Sequence, residues 1–147
     1  MIKLVKHLFL LLCTTIALSP GADKCSLTIE INGLKNSKGA VLISLYDNKE
    51  AFPKDAARAV HNEKVTISNG KAKVTITNLN PGTYAVALLH DENNNLKMDF
   101  NIVGMPKEGY GFSNDAQGTF GPPSFEKASF KVLPQKKNIS LKMKYFL

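Results

Sequence analysis

Apolar and polar side chains alternate along most of the chain beyond residue 24. Leu27, Ile29 and Ile31 are each followed by a polar residue. The same spacing recurs in the segments 41–46, 65–67, 72–76, 128–132 and 139–145. Alternation with a period of two predicts strands that bury one face. The segment 84–89 is apolar on both faces, which predicts a central strand. The pattern as a whole predicts an all-β fold, a seven-stranded antiparallel β-sandwich with one long loop.

The predicted core and turns follow from the same pattern. Asn69-Gly70 stands between two strand segments and predicts a β-hairpin with a type I′ turn, which needs positive φ at both residues. Phe52-Pro53 and three nearby alanines predict a crossover in residues 47–57 with one helical turn. We expect a single contiguous core to contain Leu27, Ile29, Val41, Ile43, Val74, Ile76, Val86 and Leu88.

Residues 90–124 interrupt the alternation with Gly, Pro, Asn and aromatic side chains. Long loops without regular structure are uncommon in compact domains and often carry function. We therefore expect any function of the protein to reside in this segment.

The first residues have the three parts of a signal peptide. A basic start containing Lys3 and Lys6 precedes an apolar run over residues 8–18, and Ser19 to Ala22 are small or helix-breaking. The run is too short to span a bilayer. We expect residues 1–21 to be removed on export, the mature chain to begin between Ala22 and Lys24, and residues 22–147 to form one periplasmic or secreted domain without a transmembrane segment.

Charge and cysteine content narrow the classes of function. Removing residues 1–21 takes away Lys3 and Lys6 and lowers the formal net charge from +7 to +5. The remaining lysines are scattered and form no stripe with aromatic residues, which argues against nucleic-acid binding. Cys25 is then the one remaining cysteine, and its place at the start of a strand predicts burial rather than a disulfide.

Two stretches of sequence resemble known families. Leu79-Asn80-Pro81-Gly82-Thr83-Tyr84 resembles the Leu-x-Pro-Gly-x-Tyr signature of transthyretin-like sandwich domains, which include carboxypeptidase regulatory-like modules. The order of the segments 90–95, 104–114 and 121–125 is similar to the bacterial exported family of domain of unknown function 2141. This resemblance implies a prealbumin-like sandwich and export, and it brings no assigned activity.

A calcium-binding loop is predicted directly after the central strand. Oxygen-bearing side chains stand at positions 1, 3, 5 and 9 of a turning segment, with a backbone carbonyl at position 7, a spacing that can wrap a hard cation. The predicted ligands are Asp91, Asn93, Asn95, Lys97 through its carbonyl, and Asp99.

Two residues depart from the usual calcium-loop pattern. Leu96 stands where such loops carry glycine, and Ile102 stands where a carboxylate closes the shell. Glu92, Glu108 or Asp115 would have to supply further charge. The alternative is an asparagine-rich turn whose side chains satisfy their own backbone.

Aromatic and polar side chains in residues 110–125 offer a second candidate, a surface for a glycan or for a peptide of a protein partner. Its predicted residues are Tyr110, Phe112, Asn114, Asp115 and Phe120. The alternative is that the rings close an open end of the sandwich, because most large aromatic side chains serve burial.

No enzyme signature is visible. Ser113 lacks the Gly-x-Ser-x-Gly context of a nucleophile elbow, and His61 and His90 lie in different segments. We therefore predict an exported, non-enzymatic binding or envelope-associated accessory module, with calcium as its possible cofactor and a protein or glycan as its partner. The alternative is a cation-dependent hydrolase that uses the Asp91–Asp99 loop to activate water.

Overall fold

Two β-sheets make up the computed structural model of the protein, which describes residues 23–146. The three-stranded sheet has the order β4-β1-β8, formed by β1 (Cys25–Asn32), β4 (Ala72–Leu79) and β8 (Lys136–Lys142). The other sheet has the order β3-β2-β5-β6, formed by β2 (Ala40–Tyr46), β3 (His61–Val65), β5 (Gly82–Asp91) and β6 (Gly109–Phe112). Strand β7 (Phe130–Val132) also pairs with β5, and a short helix α1 (Phe125–Ala128) precedes it. Ala56–Arg58 and Ser113–Asp115 form single 3-10 turns.

The core lies between the sheets, and it confirms the predicted apolar set. All eight residues predicted for it are buried members of one cluster. Leu27 and Val86 have no exposed surface at all. Cys25 is a free thiol buried in the same cluster, as its position in the first strand predicted.

Strand β5 is central, as its two apolar faces predicted. It pairs with β2 on one side and with β6 and β7 on the other. Its outer face is covered by a second cluster that includes Tyr46, Phe52, Ala85 and Ala128. The strand is therefore apolar on both faces because the crossover segment and α1 cover the face that turns away from the first sheet.

The structure differs in detail from the predicted strand plan. Residues 23–146 form eight strands, because β6 forms inside the segment predicted as a loop and pairs with β5. Strands β1 and β8 pair in parallel, whereas the other strand pairings among these residues are antiparallel. The all-β, two-layer fold is confirmed, and its prealbumin-like character stays a prediction.

The Asn69-Gly70 turn forms with the predicted backbone, but the predicted hairpin is wrong, because the strands on either side of the turn lie in different sheets. Asn69 and Gly70 have φ of 50° and 70°, and Ser68 and Lys71 exchange backbone hydrogen bonds of 2.8 and 3.0 Å. Strand β3 continues from β2 in one sheet, whereas β4 pairs with β1 in the other. The chain changes layer here because the alternating apolar residues of β4 complete the core against β1.

The predicted signal peptide lies outside the described residues. Within residues 23–146, no helix has the length and apolar character to cross a membrane.

Candidate functional site

The end of strand β5 provides a rigid base for the predicted calcium loop. Asp91 is the last residue of this strand, pairs with Ala40 of β2 and has no exposed surface. Gly39 crosses its backbone so closely that a Cβ at this glycine would lie 1.8 Å from the Asp91 carbonyl oxygen. Gly39 also has φ of +61°, which favours glycine. The chain is therefore fixed where the loop begins.

The carboxylate of Asp91 organises the first turn of the loop. Its Oδ1 accepts a hydrogen bond from the Asn95 N–H at 3.1 Å, and its Oδ2 accepts one from the Leu96 N–H at 3.0 Å. Leu96 has φ of 64°, the left-handed conformation for which comparable loops use glycine. The leucine departs from the usual residue, but the backbone still takes the turn that the pattern requires.

Two asparagine side chains converge on Asp99. The Nδ2 groups of Asn93 and Asn95 donate to the same Asp99 oxygen, Oδ2, at 2.7 and 2.9 Å. The Oδ1 of Asn93 accepts from the Asn95 N–H at 3.1 Å, and the Oδ1 of Asn95 accepts from the Lys97 N–H at 3.0 Å. The structure thus brings together the side chains at positions 1, 3, 5 and 9. Lys97 is held in the same turn through its N–H, and the role of its carbonyl as a ligand stays a prediction.

Glu108 closes this loop in a way that the sequence did not reveal. Its Oε1 accepts from the Glu92 N–H at 3.0 Å, and its Oε2 accepts from the Asp99 N–H at 3.2 Å. The side chain is buried, with 5% exposure. One carboxylate therefore ties the start of the loop to its end. The sequence makes Glu108 a candidate for an additional cation ligand, and no local pattern indicates this bridging role.

Glu92 points away from the loop toward the turn before β2. Its carboxylate pairs with Lys35 Nζ at 2.6 Å and accepts from Asn36 Nδ2 at 2.9 Å. Burial would raise the pKa of Glu92, but the hydrogen bonds from Lys35 and Asn36 outweigh it and hold the pKa below its ordinary value.

His90 is fully buried behind the loop, and both of its ring nitrogens have partners. Nε2 lies 2.9 Å from the Lys38 carbonyl oxygen, and Nδ1 lies 2.7 Å from the Tyr145 hydroxyl. A carbonyl only accepts, so Nε2 donates to Lys38 and Nδ1 pairs with the hydroxyl. Burial raises the pKa of Tyr145. The ring links β5 to the C-terminal segment and has no free nitrogen for chemistry.

The chemical type of the available ligand atoms determines which cation the loop could bind. Across residues 23–146, no three His, Cys, Asp or Glu side chains gather in a way that could hold a metal ion. A cation at the Asp91–Asp99 loop would therefore depend on asparagine amide oxygens and backbone carbonyls as well as two carboxylates. Calcium accepts these neutral oxygen ligands, whereas zinc prefers nitrogen and sulfur.

A hairpin that sequence analysis missed extends from the same loop. The Lys107 N–H donates to the Asp99 carbonyl at 2.9 Å, and Phe100 lies opposite Pro106. Asn101 closes the turn, since its N–H donates to the Met105 carbonyl at 2.9 Å. We call residues 100–105 the apolar finger. Its Phe, Ile, Val and Met residues are visible in the sequence as an apolar stretch. They lie inside a segment rich in Asn and Gly, which was predicted as a loop.

The predicted aromatic surface divides into packed and exposed side chains. Phe112 packs edge-on against Phe52 at 5.9 Å between ring centroids, and Tyr110 stacks on Phe146 at 5.6 Å. Phe120 is fully exposed. These contacts support the packing interpretation for Phe112, and the ligand surface as a whole stays a prediction.

The polar residues of that surface hold loops in place. Asn114 donates to the carbonyls of Lys127 and Ser129 at 3.2 and 2.8 Å. Asp115 Oδ1 accepts from the Lys142 N–H at 3.3 Å.

The neighbouring Ser113 is a buried connector. Its hydroxyl accepts from the Val86 N–H at 2.8 Å and donates to the Ala128 carbonyl at 2.6 Å. The hydroxyl therefore provides a hydrogen-bond acceptor for β5 at Val86, which lies between the residues that pair with β6 and those that pair with β7.

Comparison with known proteins gives a family and little more. The family model described as "Uncharacterized protein conserved in bacteria (DUF2141)" matches residues 29–140. No curated protein matches. Among solved structures, two crystal structures of the pilus-presented adhesin Spy0125 (Cpa), one of them a single-substitution mutant, are 12% identical with a TM-score of 0.25. The match covers 86% of this chain but only 28% and 27% of the adhesin chains.

Proposed function

The chain belongs to the DUF2141 family of uncharacterized bacterial proteins, and we propose that this member is an exported, non-enzymatic binding module with a calcium-stabilised loop. One observation carries the proposal. The side chains of Asp91, Asn93, Asn95 and Asp99 are gathered on one turning loop, with both asparagine amides directed at Asp99. A calcium ion would take the place of these amide contacts and cross-link the loop through oxygen atoms.

The existing hydrogen bonds are compatible with an ion. Each carboxylate oxygen of Asp91 accepts one backbone N–H, and a carboxylate has about four lone-pair sites in all. The amide oxygens of Asn93 and Asn95 likewise accept one N–H each and keep a second lone pair. Backbone donors therefore preorganise these oxygens without using all of their acceptor capacity.

The charge of the loop predicts weak affinity. Asp91 and Asp99 are the two carboxylates at the ligand positions of the spacing, whereas the Glu92 carboxylate pairs with Lys35 away from the loop. Calcium sites with few charged ligands in extracellular modules bind with dissociation constants of about 10⁻⁴ to 10⁻³ M. Magnesium should bind less well, because it gives up its water ligands reluctantly.

The test is thermal unfolding in calcium. At a free concentration 100 times the dissociation constant, an ion that binds only the folded state stabilises it by about 2.7 kcal/mol, which raises Tm by several degrees. Asp99→Asn keeps the shape of the side chain and removes its charge, so we expect it to abolish most of this rise. Asp47→Asn, an exposed position outside the loop, is the matched control and should keep it.

Asp91→Ala is a poorer test than Asp99→Asn. Asp91 is fully buried and accepts two backbone N–H groups, so its removal disturbs the loop with or without an ion. An unchanged Tm and unchanged protease sensitivity of residues 91–107 at about 100 mM free calcium, 100 times the weaker of the expected dissociation constants, would reduce the loop to an asparagine-rich turn.

The geometry favours a binding module over the cation-dependent hydrolase. That enzyme would need an exposed cleft in which the ion, His90 and Glu108 meet. His90 has no exposed surface and Glu108 has 5%, so neither lies in an exposed cleft, and the hydrogen bonds of both hold the fold together. Calcium-dependent hydrolysis of model esters or phosphate esters, lost in Asp99→Asn, would support the enzyme instead.

Export and the partner of the aromatic surface are parts of the same proposal. Mass spectrometry of protein from the native host should give a first residue between Ala22 and Lys24, and an intact Met1 would contradict export. A glycan or peptide that binds the aromatic surface should lose affinity when the exposed ring of Phe120 is replaced, as in Phe120→Ser.

A further inference from the structure

We infer that the apolar finger, residues 100–105, inserts into the surface of an anionic lipid bilayer. The inference goes beyond the proposed function and does not depend on calcium. The finger exposes four large apolar side chains within six residues. Their exposed fractions are 59% for Phe100, 104% for Ile102, 74% for Val103 and 38% for Met105.

This exposure belongs to an ordered structure. The finger is closed by the Asn101 N–H bond to the Met105 carbonyl and by the Gly104 N–H bond to the Asn101 carbonyl at 3.0 Å. The Asn101 side chain accepts from the N–H groups of Val103 and Met105 at 3.0 and 2.9 Å. The polar groups of the turn are thus satisfied within the finger, and the apolar side chains are left outside. Contiguous exposed apolar surface of this kind marks an interaction site.

The shape of the finger favours a bilayer over a protein. The finger is a convex tip, and a Cβ built on Gly104 would have no atom within 4 Å. A protein partner would need a groove shaped to this tip, whereas acyl chains fill the space around any apolar shape. The length of the finger is also sufficient for insertion. Its tip at Val103 lies four residues beyond Asp99, which is at most roughly 13 Å at the rise of a strand. Interfacial segments insert to a depth of about 5–10 Å.

The charges beside the finger complement anionic lipid. Lys97 precedes the finger in the chain and Lys107 follows it, and both are exposed. The nearest carboxylate of the segment, on Asp99, is turned toward the two asparagine amides. Lysine side chains at this depth reach lipid phosphates while their aliphatic parts lie along apolar surface. Residues 22–147 are also basic, with a formal net charge of +5.

The test is vesicle binding by protein purified in the form that its native host produces. Vesicles of equal parts phosphatidylglycerol and phosphatidylcholine are compared with pure phosphatidylcholine, at low salt and with a calcium chelator. We expect binding to the anionic vesicles. Ile102→Ser/Val103→Ser should weaken it at least tenfold, which corresponds to the loss of about one buried apolar side chain. Val60→Ser/Leu133→Ser removes two exposed aliphatic side chains elsewhere and should change it little.

A fluorescence experiment locates the inserted residue. The chain contains no tryptophan, so Ile102→Trp introduces a single fluorophore at the tip. Its emission should shift to the blue on anionic vesicles and be quenched by brominated acyl chains. Val60→Trp, an exposed position far from the finger in sequence, should show neither effect.

Each outcome decides the inference. Loss of binding in the finger variant and quenching at residue 102 support it. Absence of binding to either vesicle overturns it and leaves the finger to a protein partner. Binding that the finger variant retains also overturns it, because the contact then lies elsewhere on the chain. Equal binding to both kinds of vesicle overturns the inference that Lys97 and Lys107 attract the protein to anionic lipid. Failure of the calcium proposal is seen separately, as an unchanged Tm without vesicles.

Discussion

The bridging role of Glu108 predicts a specific loss of stability in Glu108→Gln. Glutamine keeps one acceptor oxygen, but its NH2 group takes the place of the other carboxylate oxygen. This group cannot accept a hydrogen bond, so one of the two backbone N–H groups loses its acceptor. Hydrogen bonds to charged groups contribute about 1.5–3 kcal/mol each, and an unsatisfied buried donor costs about 1–3 kcal/mol. The N–H groups of Glu92 and Asp99 are part-buried, so we expect a loss in the lower part of this range, about 2 kcal/mol.

The expected loss is large enough to measure and too small to unfold the domain. Domains of this size have a free energy of unfolding of about 5–15 kcal/mol. A loss of 2 kcal/mol lowers Tm by roughly 8 °C. Urea unfolding followed by far-ultraviolet circular dichroism gives the free energy, and hydrogen exchange with mass spectrometry shows where protection is lost. Exchange should accelerate in residues 91–107 and stay unchanged in β1 and β4.

Glu30→Gln is the matched control. Glu30 forms an exposed ion pair with Lys73 at 2.8 Å, and exposed pairs contribute little. Two results would refute the reasoning about Glu108. One is an unfolding free energy equal to that of the unaltered protein. The other is a loss of hydrogen-exchange protection spread evenly over all strands. Removing a bridge between the ends of one loop should destabilise that loop before it destabilises the sandwich.

Three further predictions test the scaffold around the loop. Val86→Asp places a charge at a position with no exposed surface and should unfold the domain, so a cooperative unfolding transition in this variant would contradict the assignment of β5. Gly39→Ala should be at least 1 kcal/mol less stable in urea than Gly104→Ala, because both have positive φ but only the former brings a Cβ onto the Asp91 carbonyl. Glu92 has a lowered pKa, so its contribution to stability is present above its ordinary value of 4.5 and lost as pH falls through the folded value. The Tm difference between the unaltered protein and Glu92→Gln should therefore close below pH 4.5, and a difference that persists there would contradict the ion pair.

Part of the candidate site could be predicted from local sequence, because its contacts are local. Asp91, Asn93, Asn95 and Asp99 lie within nine residues, and their side chains bond to backbone or side-chain groups two to six residues away. Short polar side chains make such contacts wherever the chain turns. The positions that meet in the loop were therefore predictable, even though the ion they would hold stays a proposal.

Contacts between distant segments were beyond sequence analysis. The tight crossing of Gly39 over Asp91 joins residues 52 positions apart, and the His90–Tyr145 bond joins residues 55 positions apart. In both cases, neither of the two segments carries a local pattern that predicts contact with the other. The apolar finger escaped for a different reason, since apolar residues in a sequence are expected to be buried and only the structure shows which of them lie outside.

The sequence by itself determined the all-β class, the burial of the alternating residues and the central place of β5, because a period of two assigns each side chain to a face whatever the strand pairs with. Tertiary structure alone decided the pairing of strands, including the parallel partnership of β1 with β8 and the change of sheet at Asn69-Gly70. Backbone hydrogen bonds are the same for every residue type, so a strand does not encode its neighbour. The neighbour is selected by which arrangement of all the apolar faces leaves the smallest area in water.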